Sequence, residues 1–199
     1  MTGQFIVHDP YFKKAKALGY RARSAFKLLE IEEKYHLIHP GMKVLDLASA
    51  PWSFLQVIAR LIGERGRGVG IDIQKIAPFS EWNITLFQAD IFDTPRITSF
   101  LHTLGISTFD LITSDIAPST TGMTGVDQYR SIELNMAILD IAESYLKVGW
   151  NLLLKVFVWE DINDLIIPIK QRYEKLSRFK PRACRDRSFE EYFICLGKK

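Results

Sequence analysis

Four aspartates occur near the ends of apolar segments, at points where a strand of a sheet would also end. Asp115 follows the segment 109–114, and Pro118 prevents that strand from continuing. Asp46, Asp72 and Asp90 lie in or follow three further apolar segments. Ligands of open α/β sheets bind at the carboxyl ends of the strands, where an acid can hold ribose hydroxyls or an adenine amino group. The spacing favours a site for a nucleoside-containing ligand, although each aspartate alone is also typical of a turn.

The elements that carry these aspartates alternate along the chain. Apolar runs predict seven strands, at residues 43–48, 68–73, 83–88, 109–115, 151–158, 175–180 and 191–196. Helical spacing predicts helices at 54–62, 96–104, 127–147 and 162–173, with Gly149 ending the third of them. Such alternation indicates an α/β protein with a largely parallel sheet covered on both faces. We expect one domain over residues 1–199, with a helical extension at 1–38 and a core at 39–199.

Two helices are predicted before the first strand. Asp9 and Pro10 have the residue types of an N-cap and a first helical position, and Gly19 would end this helix. A second helix, over residues 21–36, would bury a row of apolar side chains. Lys27 lies outside that row, so its side chain can point out of the core.

The composition is that of a globular protein. Of 199 residues, 47% are hydrophobic and 25% are charged, and no apolar run approaches the roughly 20 residues that cross a bilayer. The first ten residues lack the basic-then-apolar layout of a signal peptide. Two cysteines are too few for a disulfide framework, and four histidines show no metal-ligand spacing. These features predict a cytoplasmic, metal-free protein, and with no spare apolar face evident we expect a monomer.

The net charge is only +3, but the basic residues are concentrated towards both ends of the chain. Two such blocks could form one positive face for a polyanion such as RNA, or could simply be solvated surfaces. The residues predicted to contact RNA are Lys13, Lys14, Lys16, Arg21, Arg23, Arg182, Arg185 and Arg187.

Five segments together resemble, in order and spacing, the motifs of the FtsJ/RrmJ (RlmE) family of S-adenosylmethionine-dependent RNA ribose 2′-O-methyltransferases. They are Gly19-Tyr-Arg-Ala-Arg-Ser-Ala-Phe-Lys-Leu-Leu-Glu30, Val44-Leu-Asp-Leu-Ala-Ser-Ala-Pro51, Ser114-Asp-Ile-Ala-Pro118, Leu154-Lys-Val-Phe157 and Ser188-Phe-Glu-Glu-Tyr192. The resemblance implies a Rossmann-like methyltransferase fold with a mostly parallel seven-stranded sheet, and S-adenosylmethionine as cofactor. The catalytic residues of the family fall on Lys27, Asp115, Lys155 and Glu190. The expected cofactor-binding residues are Trp52, Phe54, Asp72, Asp90 and Asp115.

These residue types suit methyl transfer to a ribose hydroxyl. The acceptor must lose its proton as the new bond forms, and a lysine serves as base only if its pKa falls well below the usual value of about 10.4. Lys155 follows the apolar run 152–154 and is the predicted base, with Lys27 as the nearby cation that favours its neutral form and as a contact for RNA phosphate. Asp115 would orient Lys155 and help to position the methyl donor. Glu190 would orient the ribose or a lysine.

The cofactor loop departs from the family pattern. Trp52 and Ser53 occupy positions where the family normally has two glycines, which tolerate positive φ and let the backbone approach a ligand. Either the Trp52 side chain turns outward and leaves the loop able to bind, or it blocks the pocket. A second departure, Val148-Gly149-Trp150 in place of Pro-Gly-Gly, is predicted to be a repacked turn.

The resemblance implies methylation of a uridine ribose in large-subunit (23S-type) ribosomal RNA. Two alternatives are left open by the sequence. One is the same chemistry on transfer RNA or on an mRNA cap. The other is an RNA-binding or ribosome-assembly protein that has kept the fold without catalysis, which a blocked cofactor loop would produce.

Overall fold

The computed structural model describes residues 10–74, 81–118, 124–158, 162–185 and 188–199. The seven strands are β1 (Lys43–Leu47), β2 (Arg67–Asp72), β3 (Ile84–Gln88), β4 (Phe109–Ser114), β5 (Leu146–Phe157), β6 (Tyr173–Phe179) and β7 (Glu190–Lys198). The helices are α1 (Pro10–Ala17), α2 (Ser24–Tyr35), α3 (Ser53–Ile62), α4 (Thr94–Thr103), α5 (Thr124–Tyr145) and α6 (Asn163–Arg172). The predicted α/β fold with a mostly parallel seven-stranded sheet is confirmed. The predicted N-cap, Asp9, lies outside the described residues.

The strands form one sheet in the order β3-β2-β1-β4-β5-β7-β6. β7 runs antiparallel to both of its neighbours, β5 and β6, whereas the pairs among β1 to β5 are parallel. The chain builds the sheet outward from β1 to β3 and then returns to β4 on the other side of β1, which creates a switch point between β1 and β4 where ligands of open α/β sheets bind. Since β7 is reversed, its first residues lie at the same edge as the carboxyl ends of the other six strands.

Helices cover both faces of the sheet, which explains the continuous apolar runs in β4 and β5. One face packs against α4, α5 and α6, through side chains such as Ile97, Leu139 and Leu165. The other packs against α2 and α3, through side chains such as Leu28 and Ile58. None of the helices in the described part of the chain is both long and apolar enough to span a membrane.

The junction between α5 and β5 differs from the prediction that Gly149 ends the helix. The helix ends at Tyr145, and β5 begins at the next residue. The buried Lys198 Nζ donates to the carbonyl oxygens of Ala142 (3.1 Å), Glu143 (2.5 Å) and Leu146 (2.9 Å), so it satisfies carbonyl groups that a helix end leaves without partners. Gly149, with φ of 82°, instead lies in the irregular start of β5, where its pairing with β4 shifts register.

Candidate active site

A cavity of about 530 Å³ lies at the carboxyl edge of the sheet, beside the switch point. Its volume is within the usual range for small-molecule sites, about 300–1,000 Å³. Its lining combines acidic groups and a lysine with apolar side chains, and includes Asp72, Ile73, Asp90, Ile91, Phe92, Asp115, Ile116 and Lys155. Asp72, Asp90 and Asp115 therefore meet in one cavity, because parallel strands end at a common edge, whereas Asp46, grouped with them in the sequence, does not line it.

Lys155 and Asp115 form the first of two lysine–carboxylate pairs at this edge. The Lys155 Nζ lies 3.1 Å from Asp115 Oδ1 and donates to the main-chain oxygen of the same residue at 2.5 Å. The Lys155 side chain is only 7% exposed, whereas the Asp115 side chain is 20% exposed. Asp115 thus offers Lys155 two acceptors, and both residues line the cavity.

Lys27 and Glu190 form the second pair, with 2.8 Å between Nζ and Oε1. Both residues are buried, so Lys27 is not a solvated surface lysine, although helical spacing allowed its side chain to point out of the core. A lysine at this depth requires an opposite charge, and Glu190 supplies it. The thiol of Cys184 lies beside the pair, and its pKa is raised to about 12, first by burial and then by the negative charge of Glu190.

Tyr192 connects the two pairs and was given no role from the sequence. Its hydroxyl donates to Asp115 Oδ1 at 2.5 Å, and the Lys27 Nζ lies 5.9 Å from the centre of its ring. Burial, followed by the charge of Asp115, raises the pKa of the Tyr192 phenol, which keeps it a neutral donor. The sequence contained one indication of a role, namely the position of Tyr192 at the end of the Ser188–Tyr192 motif. In the sheet Tyr192 pairs with Lys155 across β5 and β7.

Asp72 and Asp90 lie at the ends of β2 and β3, on the other side of β1 from the Lys155–Asp115 pair. The Asp72 carboxylate accepts from the backbone N–H groups of Ala50 (2.8 Å) and Gln74 (2.7 Å). Asp90 is exposed and accepts from the N–H of Phe92 at 3.0 Å. A carboxylate has about four lone-pair positions, so each acid can still accept from a ligand.

Trp52 and Phe54, two of the expected cofactor residues, do not line the cavity. Trp52 is 3% exposed and belongs to the apolar cluster between the sheet and helices α2 and α3. Its side chain therefore neither turns outward nor fills the cavity, so both alternatives stated for it from the sequence are wrong. Its φ of 77° retains the backbone conformation that favours glycine. Phe54 is also buried and stacks on Tyr192, with 6.2 Å between ring centres, so it helps to fix the position of the Tyr192 ring.

Asp46 is a buried acid beneath the cofactor loop that was given no functional role from the sequence. Its Oδ1 accepts from the Thr113 hydroxyl at 2.6 Å, while its Oδ2 has no hydrogen-bond partner among the described residues. Burial raises its pKa well above the ordinary value, and the charges of Asp115 and Asp72 add to this effect. Asp46 is therefore stabilised as a neutral carboxylic acid.

The basic residues near the two ends of the chain meet around α1 and α2. Ala183 packs with Ala15 and Phe26, and the Arg23 guanidinium donates to its main-chain oxygen. Most of the predicted RNA contacts are exposed here, namely Lys13, Lys14, Lys16, Arg21, Arg182 and Arg185. Arg23 is half-buried and Arg187 lies outside the described residues.

A sheet in this order, with one reversed strand and a nucleoside-sized cavity at its switch point, defines the class of Rossmann-like methyltransferases. The solved structure of fibrillarin from Aeropyrum pernix, in complex with S-adenosylmethionine, has this fold. It aligns with a TM-score of 0.58 over 87% of this chain and 76% of that chain, at 16% sequence identity. Within the class, the chain belongs to the FtsJ-like methyltransferase family, whose family model matches residues 20–198.

Two curated relatives are named ribosomal RNA large subunit methyltransferase E. The one from Pseudomonas fluorescens (strain Pf0-1) is 38% identical over 191 residues, which is 96% of this chain and 90% of the relative. The one from Nitratidesulfovibrio vulgaris (strain DP4) is 38% identical over 190 residues, which is 95% of this chain and 92% of the relative. A solved structure from Plasmodium falciparum, assigned as a ribosomal RNA methyltransferase, aligns with a TM-score of 0.79 at 26% identity and covers 90% of this chain and 98% of that chain.

Proposed function

We propose that the protein is an S-adenosylmethionine-dependent enzyme that methylates the 2′-oxygen of a ribose, that of a uridine, in large-subunit ribosomal RNA. The observation that carries the proposal is the meeting of two lysine–carboxylate pairs, each with a buried lysine, through Tyr192, with one pair lining the cavity. Support for the RNA comes from the family and from the names of the curated relatives.

The residues of the cavity fit the cofactor. Asp72 would accept from ribose hydroxyls and Asp90 from the adenine amino group, while Ile73, Ile91 and Phe92 offer apolar surface for the purine. Bound S-adenosylmethionine supplies a methyl group activated by its sulfonium charge, and the carboxylate of Asp115 favours a cation at that end of the cavity.

Lys155 is suited to receive the proton of the acceptor hydroxyl. A neutral amine has two N–H donors and one lone pair. The two acceptors of Asp115 can engage both donors, which leaves the lone pair for the cavity that Lys155 lines. Asp115 is itself held by the Tyr192 hydroxyl, so the base is oriented by a neighbour with little freedom to move.

The Lys27 Nζ pairs with the Glu190 carboxylate and lies over the ring of Tyr192. In this role the ammonium of Lys27 binds an RNA phosphate near the acceptor ribose, and Glu190 keeps the side chain in place before RNA arrives. The exposed lysines and arginines around α1 and α2 would hold the rest of the RNA backbone, which predicts an affinity that falls steeply with salt. An enzyme with this substrate would act in the cytoplasm.

The decisive experiment measures transfer of a tritiated methyl group under single-turnover conditions. We expect transfer to large ribosomal subunits or their RNA, and a loss of about 10²–10⁴-fold in the Lys155→Met variant, which is the usual contribution of a general base. Lys147→Met is the matched control, because Lys147 pairs with Asp110 at the opposite end of the same strand. Near-normal transfer by Lys155→Met would exclude Lys155 as the base.

The alternatives make different predictions in the same assay. Preferred transfer to transfer RNA or to capped RNA would keep the chemistry and replace the substrate. Binding of ribosomal particles without methyl transfer to any RNA would favour a non-catalytic assembly protein. A calorimetric titration with S-adenosylmethionine is the companion test, and the absence of binding would contradict the enzymatic proposal.

A further inference from the structure

The cofactor loop is connected directly to the helix that carries Lys27. Ser53, the residue that follows Trp52 and begins α3, has its Oγ 2.5 Å from the Oγ of Ser24, the first residue of α2. Ser53 is 2% exposed, so the bond is well protected from solvent on that side. Since the family normally has glycine at the position of Ser53, this hydroxyl contact is a feature of the present chain.

Gln56 reinforces the same connection one turn further along α3. Its Nε2 donates to the main-chain oxygen of Gly19 at 3.0 Å, and its Oε1 accepts from the N–H of Arg21 at 2.8 Å. Residues three apart on a helix share a face, so Ser53 and Gln56 both point at the start of α2. We call the bonds of Ser24, Ser53 and Gln56 the α2–α3 latch.

The latch lies close to Lys27 along the chain. Ser24 and Lys27 are three residues apart on α2, so they also share a helix face. The later part of α2 has a separate attachment, because the Glu30 carboxylate accepts from the N–H groups of Arg182 (2.7 Å) and Ala183 (3.0 Å), in the connection that leads to β7. The helix is thus held from one side by the cofactor loop and from the other by the segment that precedes Glu190.

We propose that Ser53 and Gln56 are positioning residues that hold Lys27 in register with the cofactor loop. The inference rests on the proposed function of Lys27, and extends it by coupling the position of the cofactor loop to that of α2, the helix that carries Lys27. A displacement of the loop on cofactor binding moves the start of α2, and with it the Lys27–Glu190 pair. Neither Ser53 nor Gln56 lines the cavity, so they act through Lys27 and not through contact with the cofactor.

The test compares Ser53→Ala in two backgrounds under single-turnover conditions. In the otherwise unchanged protein we expect methyl transfer to slow by roughly three- to ten-fold, the usual value of one hydrogen bond, with the dissociation constant of S-adenosylmethionine changed less than two-fold. In the Lys27→Met background the same substitution should have no further effect. Ser24→Ala should reproduce the loss, and Ser24→Thr, which keeps the hydroxyl, should restore most of it. An equal loss in the Lys27→Met background would overturn the proposal.

Hydrogen exchange provides a readout that is independent of activity. Ser53→Ala should speed the exchange of backbone amides in α2 and leave the amides of β6 and β7 unchanged, whereas Ser144→Ala, a substitution at a serine of α5 that bonds only to its own helix in the described residues, should change neither. Unchanged exchange in α2 would overturn the latch even if the enzyme is active. If the native protein methylates no RNA, the proposed function fails, and the exchange data alone decide whether Ser53 fixes the position of Lys27.

Discussion

The hydroxyl of Tyr192 offers a direct test of how the catalytic base is held in place. The substitution Tyr192→Phe removes the donor to Asp115 Oδ1 and leaves the stacking on Phe54 intact. Asp115 would then keep only Lys155 as a side-chain partner among the described residues. We expect both a less stable protein and a slower reaction, because the lost bond serves the fold and the orientation of the base alike.

The magnitude follows from the surroundings of the bond. A hydrogen bond to a charged group contributes about 1.5–3 kcal/mol, and the removal of one oxygen atom creates almost no cavity. The Asp115 side chain is 20% exposed, so water can replace part of the lost bond, which places the cost in the lower half of that range, about 1.5–2 kcal/mol. If the full value of the bond is realised only in the transition state, the rate falls by about 10- to 30-fold.

Two assays and one control separate these effects. Urea unfolding gives the change in stability, and single-turnover methyl transfer at saturating RNA and cofactor gives the change in rate. Tyr173→Phe is the control, since Tyr173 is a buried tyrosine of the same hairpin that pairs with Lys198 at the far end of β7. A Tyr192→Phe variant that loses stability but transfers methyl groups within two-fold of the native rate would refute the role assigned to Tyr192.

Three further substitutions test other features. Asp46→Asn should be stabilising at neutral pH. Because the pKa of Asp46 is raised in the folded protein, the folded state keeps a proton that the unfolded chain releases above its ordinary pKa of 3.8, so the stability of the native protein falls as the pH rises above that value. Urea unfolding at several pH values should therefore show the advantage of the variant growing as the pH rises. An advantage that is independent of pH would contradict this reasoning. Lys198→Met should cost about 2–4 kcal/mol by removing the partner of three carbonyl groups, two in α5 and that of Leu146 at the start of β5. Lys199→Met, at an exposed neighbour, should cost almost nothing in the same assay. Trp52→Gly should cost about 3–5 kcal/mol of stability through the lost burial of the indole, and relief of backbone strain should offset about 1 kcal/mol of that cost. A calorimetric titration should show a cofactor dissociation constant within about three-fold of the native value. A larger change would mean that the indole contributes to the cofactor site.

The order of elements could be predicted from the sequence because each strand is a short apolar run bounded by breaks. The end of α5 could not be predicted in the same way. Gly149 appeared to be the natural helix end, but Lys198, 52 to 56 residues after the three carbonyl groups that it contacts, caps the helix at an earlier position. A long-range contact of this kind leaves no mark in the local sequence.

The identities of the site residues could be predicted from the sequence wherever a residue type and its position in a motif were sufficient. The lysine–carboxylate pairs unite the four residues suggested by the family resemblance, whose catalytic roles remain predictions. The orientation of Lys27 was not predictable, because helical spacing classifies a lysine as a surface residue unless its partner is known, and Glu190 arrives from the last strand. The position of Trp52 was also not predictable, since the space that its indole fills exists only after α2 and α3 have packed together.

The reversed strand β7 has a consequence for the biosynthesis of the enzyme. Glu190 and Tyr192 are translated after β6, yet β7 inserts between β5 and β6, and among the described strands β6 pairs with β7 alone. The sheet therefore cannot close around the active site before β7 has emerged from the ribosome, and this non-local pairing is the type of event that limits folding rates. A nascent chain of a protein proposed to modify ribosomal RNA thus remains inactive until β7 has been synthesised.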